Sequence, residues 1–274
     1  MDTNLIIRKA KSSLLLRTLI WPYMTLKKKN VYNSYQKSNE RKKLSELENA
    51  YKGRRCFIVG NGSSLKSEDL NRIKDEISFG SNRIYNIFNY TEWRPTFYVA
   101  QDVDAYAEMI PKALGTNIQK FILSPSAVPY EGDRHDDVYH ALWTNMRFVI
   151  NRFNDKSIHF SKDISNHISN GYTVTFSAIQ IAAYMGFKEI YLLGVDFNYS
   201  KITDKFGRIK NIDGTTTYFD GIERNGSYLN YHSTMIAYNT AKRYCENNGI
   251  VIKNATRGGK LEIFERVNFD ELFK

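Results

Sequence analysis

Two cysteines, five prolines and five histidines in 274 residues leave several kinds of protein without their chemistry. Cys56 falls in an apolar stretch and Cys245 in a helical one. No disulfide framework is expected, and a reduced, cytoplasmic protein fits best. The scarcity of proline, with 25% charged and 42% hydrophobic residues, excludes a disordered chain. It leaves enough apolar mass for one large α/β domain or at most two small ones. None of His135, His140, His159, His167 and His232 stands at the H-x-x-x-H or H-x-E spacing of a zinc site. Neither a Gly-x-Ser-x-Gly elbow nor a reactive-cysteine context occurs, so nucleophilic catalysis has no support.

Acidic residues are scarce at one end only. Residues 1–55 hold 14 Lys and Arg against 4 Asp and Glu, so they carry the whole formal charge of +10. The rest of the chain is balanced. In residues 1–54 the apolar Ile6, Ile7, Leu14, Leu15, Leu16, Leu19, Ile20 and Trp21 alternate with Arg8, Lys9, Lys11 and Arg17, before Lys27-Lys28-Lys29 and Arg41-Lys42-Lys43. This run is too short and too charged to span a bilayer. It has no small-residue cleavage site, and a signal peptide is not expected. A basic amphipathic helix at a membrane surface suits it, the alternatives being a solvated tail or a helix packed on the body. Nucleic acid is not an expected partner, because the neutral body offers no basic groove.

What the chain does have is Cys56-Phe57-Ile58-Val59 running into Gly60-Asn61-Gly62-Ser63-Ser64. An apolar strand, a glycine-rich turn and a helix near Ser67–Lys74 together suggest a phosphate cradle with outward-pointing amides. The turn lacks the Gly-Lys-Ser/Thr ending of a Walker loop and the third glycine of GxGxxG. A plain strand-to-helix connection is the alternative.

From residue 55 onward, short apolar strands alternate with helical segments. Strands are expected at Cys56–Val59, Ile77–Gly80, Thr96–Ala100, Phe121–Leu123, Glu189–Leu193 and Ile250–Ile252. Helices are expected near Ser67–Lys74, Asp104–Leu114, Thr173–Met185, Thr234–Asn247 and Asn268–Phe273. The alternation predicts an α/β fold: a doubly wound, mostly parallel Rossmann-like sheet over residues 55–274, with ligands at the carboxyl ends of its strands. Asn61, Ser81-Asn82-Arg83, Gln101-Asp102 and Asp196 follow four of those strands. Residues 124–170 read as loop-rich. The polar, tyrosine-rich stretch 198–231 reads as a lid-like insertion over the site, or as a surface insertion.

Two smaller patterns stay open at this level. Asp102-Val103-Asp104 after a strand has the form of a Mg²⁺ or Mn²⁺ site, while Asp104 also suits a helix N-cap. His232 closes the tyrosine-rich stretch and opens a helix, which suits either a general base or a capping role.

Three longer stretches carry a resemblance. They are Phe57 to Lys66, Gly186-Phe187-Lys188-Glu189-Ile190-Tyr191-Leu192-Leu193-Gly194-Val195-Asp196-Phe197, and Asn254-Ala255-Thr256-Arg257-Gly258-Gly259-Lys260-Leu261-Glu262-Ile263-Phe264. Taken in order over roughly residues 55–270, they resemble the 6-hydroxymethylpterin diphosphokinase-like family. Its bacterial members belong to surface-polysaccharide and flagellar-glycosylation systems and include the motility accessory factors. The first two stretches also resemble glycosyltransferase family 42, the bacterial sialyltransferases that use a CMP-activated sugar.

That second resemblance implies a set of site residues. Gly60, Asn61, Gly62 and Ser64 would cradle the nucleotide, Asn82 would contact it, and Asp196 matches a further segment; Ser63, Gln101 and Asp102 join the nucleotide-binding candidates from their places in the turn and at the strand ends. Ser169-Asn170-Gly171 is similar to the segment lining the cytidine. Tyr199 and Tyr218 correspond to tyrosines that hydrogen-bond the leaving phosphate, although Tyr199 is displaced by one position and Tyr218-Phe219-Asp220 is only similar. His232-Ser233 matches a Gly-His-Ser that supplies the catalytic base, with Tyr231 replacing the glycine. The resemblance therefore implies an inverting glycosyltransferase of surface polysaccharide or glycan assembly that needs no cofactor. Its partners would be a CMP-linked donor and a glycan or lipid-linked acceptor, at the inner face of the membrane. The diphosphokinase-like family implies instead a pyrophosphotransferase using ATP and Mg²⁺, with Asp102 and Asp104 as ligands. A non-catalytic nucleotide-binding protein is the third possibility.

Overall fold

The computed structural model describes residues 14–101, 118–124, 136–144, 158–203, 208–212, 218–219 and 229–274. Asp102, Asp104, the helix expected at Asp104–Leu114 and much of the stretch 198–231 lie outside these residues.

A nine-stranded sheet runs through the molecule. Its strands are β1 (Arg55–Val59), β2 (Ser78–Ser81), β3 (Phe97–Ala100), β4 (Gln119–Ser124), β5 (Val138–Thr144), β6 (Ile168–Ser169), β7 (Glu189–Leu193), β11 (Val251–Asn254) and β12 (Glu265–Arg266). They lie in the order β12-β11-β7-β1-β2-β3-β4-β5-β6. Every pairing is parallel, with Phe57 opposite Ser78 on one side and Tyr191 on the other.

The apolar runs explain why both faces are covered. Cys56 and Ile58 face one core, together with Phe79, Phe97, Val99, Phe121 and Leu123. Phe57 and Val59 face a second core, with Tyr98, Ala100, Ile122 and Leu193. The period of two thus splits one strand between two cores, as a doubly wound sheet requires. The first core is closed by α4 (Val174–Tyr184) and α5 (Tyr231–Asn247). Alanines and isoleucines bury α4 nearly all round, so it packs as an interior helix. The second is closed by α3 (Ser67–Arg72) and the 3-10 segments Asn82–Tyr90 and Phe269–Phe273.

Two strands lie where loop was expected. β5 includes the buried Val138, His140, Ala141 and Leu142, and β6 pairs with its far end. The 198–231 stretch contributes a small second sheet of β8 (Lys201–Thr203), β9 (Ile209–Asn211) and β10 (Leu229–Asn230), in the order β10-β8-β9.

The N-terminal region divides into two parts. α1 (Leu14–Gln36) keeps Pro22, Tyr23 and residues 26–30 exposed. From Val31 on, the chain joins the body. Tyr35 and Leu44 enter the first core, and Leu44 belongs to α2 (Asn39–Ser45), whose N-cap Ser38 accepts the Arg41 amide at 3.2 Å. The amides of Asn49, Tyr51 and Gly53 donate to Tyr184, Met185 and Gly186 at 2.8–3.0 Å. Residues 31–54, basic as they are, are part of the packed structure.

Candidate functional site

The chain leaves β1 for β2 on one side and returns to β7 on the other, so the order reverses between β1 and β7. In a parallel sheet this switch point opens a crevice at the carboxyl ends. Three loops meet there: residues 60–66 after β1, 194–200 after β7 and 255–261 after β11.

Asp196 joins them. Its carboxylate, 5% exposed, accepts the Ser64 amide at 2.8 Å and the Ser63 hydroxyl at 3.2 Å, and it also accepts the Ser64 hydroxyl. A Cβ on Gly62 would lie 2.4 Å from the Asp196 Cγ, so only glycine lets the turn approach. The Asp196 carbonyl accepts the Lys260 amide at 2.6 Å, and a Cβ on Gly259 would lie 2.7 Å from that oxygen. The Val195 amide donates to Thr256 Oγ1 at 3.1 Å. The motifs that look separate along the sequence are therefore one packed unit.

This packing corrects the expectation of outward amides at 60–64. The Gly60 amide donates to Leu193, Gly62 to Gly194, Ser64 to Asp196 and Leu65 to Gly62, at 2.8–3.1 Å. Those of Asn61 and Ser63 have no partner among the described residues. α3 has six residues and begins seven residues after Gly60, too short and too late for its dipole to serve the turn. The Asp196 carboxylate is spent on holding the turn.

Other polar atoms of these segments are left over. Asn61 Nδ2 donates to the Ser81 carbonyl at 3.1 Å, which fixes Oδ1 as an acceptor. That Oδ1 is buried without a partner among the described residues, as are Asn198 Oδ1 and Thr234 Oγ1. A buried acceptor left unpaired costs about 1–3 kcal/mol. Asn82 follows Ser81 directly, in a left-handed conformation with φ +52°. Its carbonyl accepts the Tyr98 hydroxyl.

Tyr199 and Tyr218 come together here. Burial pushes the Tyr199 hydroxyl well above the usual tyrosine range, and Tyr238, Tyr218 and Asp196 nearby push the same way. Tyr199 thus stays a proton-bearing donor. The Phe219 amide donates to the Asn61 carbonyl at 3.0 Å, holding Tyr218-Phe219 against the 60–64 turn.

His232 sits exposed in the first turn of α5, where the Asn230 side chain caps the Ser233 amide at 3.2 Å. The preceding Tyr231 ring lies 5.2 Å from Phe197, which places this helix start beside the 194–200 loop. The sheet order puts the remaining candidates further out. Gln101, at the end of β3, accepts the Ser177 hydroxyl at 3.0 Å. Ser169 ends the edge strand β6 and Asn170-Gly171 follow it, with β2, β3, β4 and β5 between them and β1. Gly171 is required there, since a Cβ would lie 2.2 Å from Phe176 Cδ1.

Tyr238 is the residue that sequence reasoning missed. Its ring packs on Phe197 and Phe264, and burial pushes its hydroxyl above the usual tyrosine range, opposed by Thr173 and Thr175 nearby. In the sequence it reads as one more apolar position on a helix stripe. Among the described residues, no group of three His, Cys, Asp or Glu side chains could hold a metal ion.

Fold and crevice define an α/β protein of the Rossmann-like, doubly wound type, with its candidate site at the switch point. The chain belongs to the 6-hydroxymethylpterin diphosphokinase MptE-like family, whose model matches residues 29–202. No curated protein matches the sequence.

Three solved structures are similar in fold. A MAf glycosyltransferase from Magnetospirillum magneticum AMB-1 matches at 14% identity and a TM-score of 0.43, over 88% of this chain. This chain spans only 39% of that protein. The sialyltransferase CstII from Campylobacter jejuni, solved with a substrate analogue, cytidine-5'-monophosphate, matches at 17% identity and 0.40, covering 79% of this chain and 85% of its own. A mammalian sialyltransferase, solved with Gal-beta-1-3GalNAc-ortho-nitrophenol, matches at 11% and 0.38, covering 85% and 86%. Likenesses at this level say nothing about chemistry.

Proposed function

We propose that this protein is a glycosyltransferase of surface polysaccharide or glycan assembly that takes its sugar from a CMP-activated donor. The observation that carries the reading is the meeting of Asn61, Tyr199 and Tyr218 at the β1/β7 switch point. The fixed acceptor on Asn61, without a partner among the described residues, suits a donor from a nucleoside, either a ribose hydroxyl or the cytosine amino group. The tyrosine hydroxyls suit phosphate oxygens, which accept. With most turn amides committed inside the fold, hydroxyl donors take over the neutralisation of the leaving phosphate.

In this mechanism His232 removes the proton from the acceptor hydroxyl as that oxygen attacks the anomeric carbon. The bond to the CMP phosphate breaks, and Tyr199 and Tyr218 donate to the departing oxygens. A single displacement inverts the anomeric centre. Exposure at the start of α5 gives His232 access to an acceptor arriving from solvent. A glycan or a lipid-linked sugar is the acceptor class.

The family's own description favours a second reading, pyrophosphate transfer from ATP with Mg²⁺. It would draw its metal ligands from Asp102 and Asp104, outside the described residues. The two readings separate in one assay. Release of CMP from a CMP-linked nonulosonic acid in EDTA supports glycosyl transfer. Failure of that release, with AMP formed from ATP, Mg²⁺ and a hydroxymethylpterin, overturns it.

A further inference from the structure

Among the described residues, α1 is held to the body at its C-terminal end. Its last turns are docked: Tyr32 and Gln36 donate to Asn166 Oδ1 at 2.7 and 2.8 Å, and Tyr35 is buried at 3% exposure. Upstream, Pro22, Tyr23 and residues 26–30 are all exposed, with Tyr23 and Leu26 at 60%. A helix in water without a packed face is marginal, because most helical stability in proteins comes from burying one side. Here the exposed stretch combines two large apolar side chains, Tyr23 and Leu26, with Lys27 and Lys29.

The charge says what covers it. The helix LLLRTLIWPYMTLKKKNVYNSYQ contains no acidic residue, and the first 55 residues hold the entire net charge of the protein. A second copy of the chain would bring one lysine cluster against another. A nucleic acid would neutralise the lysines but strand Tyr23 and Leu26 in water. An anionic lipid surface satisfies both, with headgroups for the lysines and the acyl boundary for the apolar side chains. The 23 residues extend about 35 Å at 1.5 Å each. No described helix is apolar enough to cross a membrane, so this one lies along the surface.

We infer that the exposed part of α1 binds an anionic lipid surface. The anchor at Asn166 then holds the body against that surface. This binding needs no nucleotide and stands independently of the chemistry in the crevice.

The test is co-sedimentation of the full chain with vesicles of phosphatidylglycerol and phosphatidylcholine, and with phosphatidylcholine alone. Binding to the anionic vesicles only, weakened by salt, is expected. Lys27→Glu/Lys28→Glu/Lys29→Glu should weaken it by at least on the order of a hundredfold. Tyr23→Ser/Leu26→Ser should weaken it as well, with circular dichroism and melting of the body unchanged. Equal binding to neutral vesicles, or anionic binding indifferent to both variants, would overturn the inference. So would a dimer in light scattering that Leu26→Asp dissociates, or duplex DNA bound more tightly than vesicles.

Discussion

The Asp196 carboxylate and the Ser64 amide lie 2.8 Å apart, although 132 residues separate them in the chain. This contact closes the β1 turn against the β7 loop at the switch point, where two serine hydroxyls reinforce it. Asp196→Asn removes the charge and sets an amide donor among three donors. A loss of about 2–3 kcal/mol is expected, more than the roughly 1 kcal/mol for Ser64→Ala. Urea unfolding measures both, and an Asp196→Asn chain within about 0.5 kcal/mol of wild type would contradict this role.

Gly62 permits that approach. Gly62→Ala places a methyl 2.4 Å from the Asp196 Cγ, an overpacking expected to cost about 1–3 kcal/mol and to displace the turn. Gly53→Ala meets nothing within 4 Å and bears only its strained φ of +81°, a cost of about 1–2 kcal/mol. The two variants should melt at similar temperatures. Only Gly62→Ala should lose its response to nucleotide in calorimetric titration, and equal responses would remove the turn from the site.

His232 and Tyr199 should separate kinetically from the scaffold. His232→Ala should lower kcat by about 10²- to 10⁴-fold. Tyr199→Phe keeps the ring and removes the donor, for a loss in kcat of roughly a hundredfold. CMP release kinetics decide the matter, and a full rate from either variant would take that side chain out of the mechanism.

Acid should loosen the C-terminal segment. Asp270 accepts first from Arg257 and then from Arg72, and together they hold its carboxyl at about 2, below the ordinary 3.8. Because the folded value lies below the unfolded one, the contribution is present above about pH 4 and disappears as pH falls through about 2. Asp270→Asn should flatten that part of the stability profile and leave its shape above pH 5 unaltered. Parallel acid profiles for the two proteins would rule the network out.

Much of the scaffold was legible because its signals are local. β1 and β7 are apolar runs closed by glycine, and α4 is a largely apolar segment behind a Thr173 cap. β5 was not legible, since the buried His140 interrupts its apolar run and the charged stretch Asp133-Arg134-His135-Asp136-Asp137 before it reads as loop. β8, β9 and β10 have two or three residues each and exist only through one another. The turn at 60–64 was visible, but the use of its amides was not. Their partners Leu193, Gly194 and Asp196 lie more than 130 residues away, and no local pattern shows which donors a fold will consume. The charge count of the N-terminal region likewise concealed Tyr35 and Leu44, two core residues among lysines and arginines.

Thermal melting of the purified chain with CMP, UDP, GDP and ATP, each in EDTA and in Mg²⁺, tests the central claim most directly. A ligand at a hundred times its Kd adds about 2.7 kcal/mol to stability. Stabilisation by CMP in EDTA, lost in Gly62→Ala, is expected of a CMP-sugar transferase built on Asn61, Tyr199 and Tyr218. Stabilisation by ATP in Mg²⁺ alone, with none from CMP, would contradict it and move the chemistry to Asp102 and Asp104.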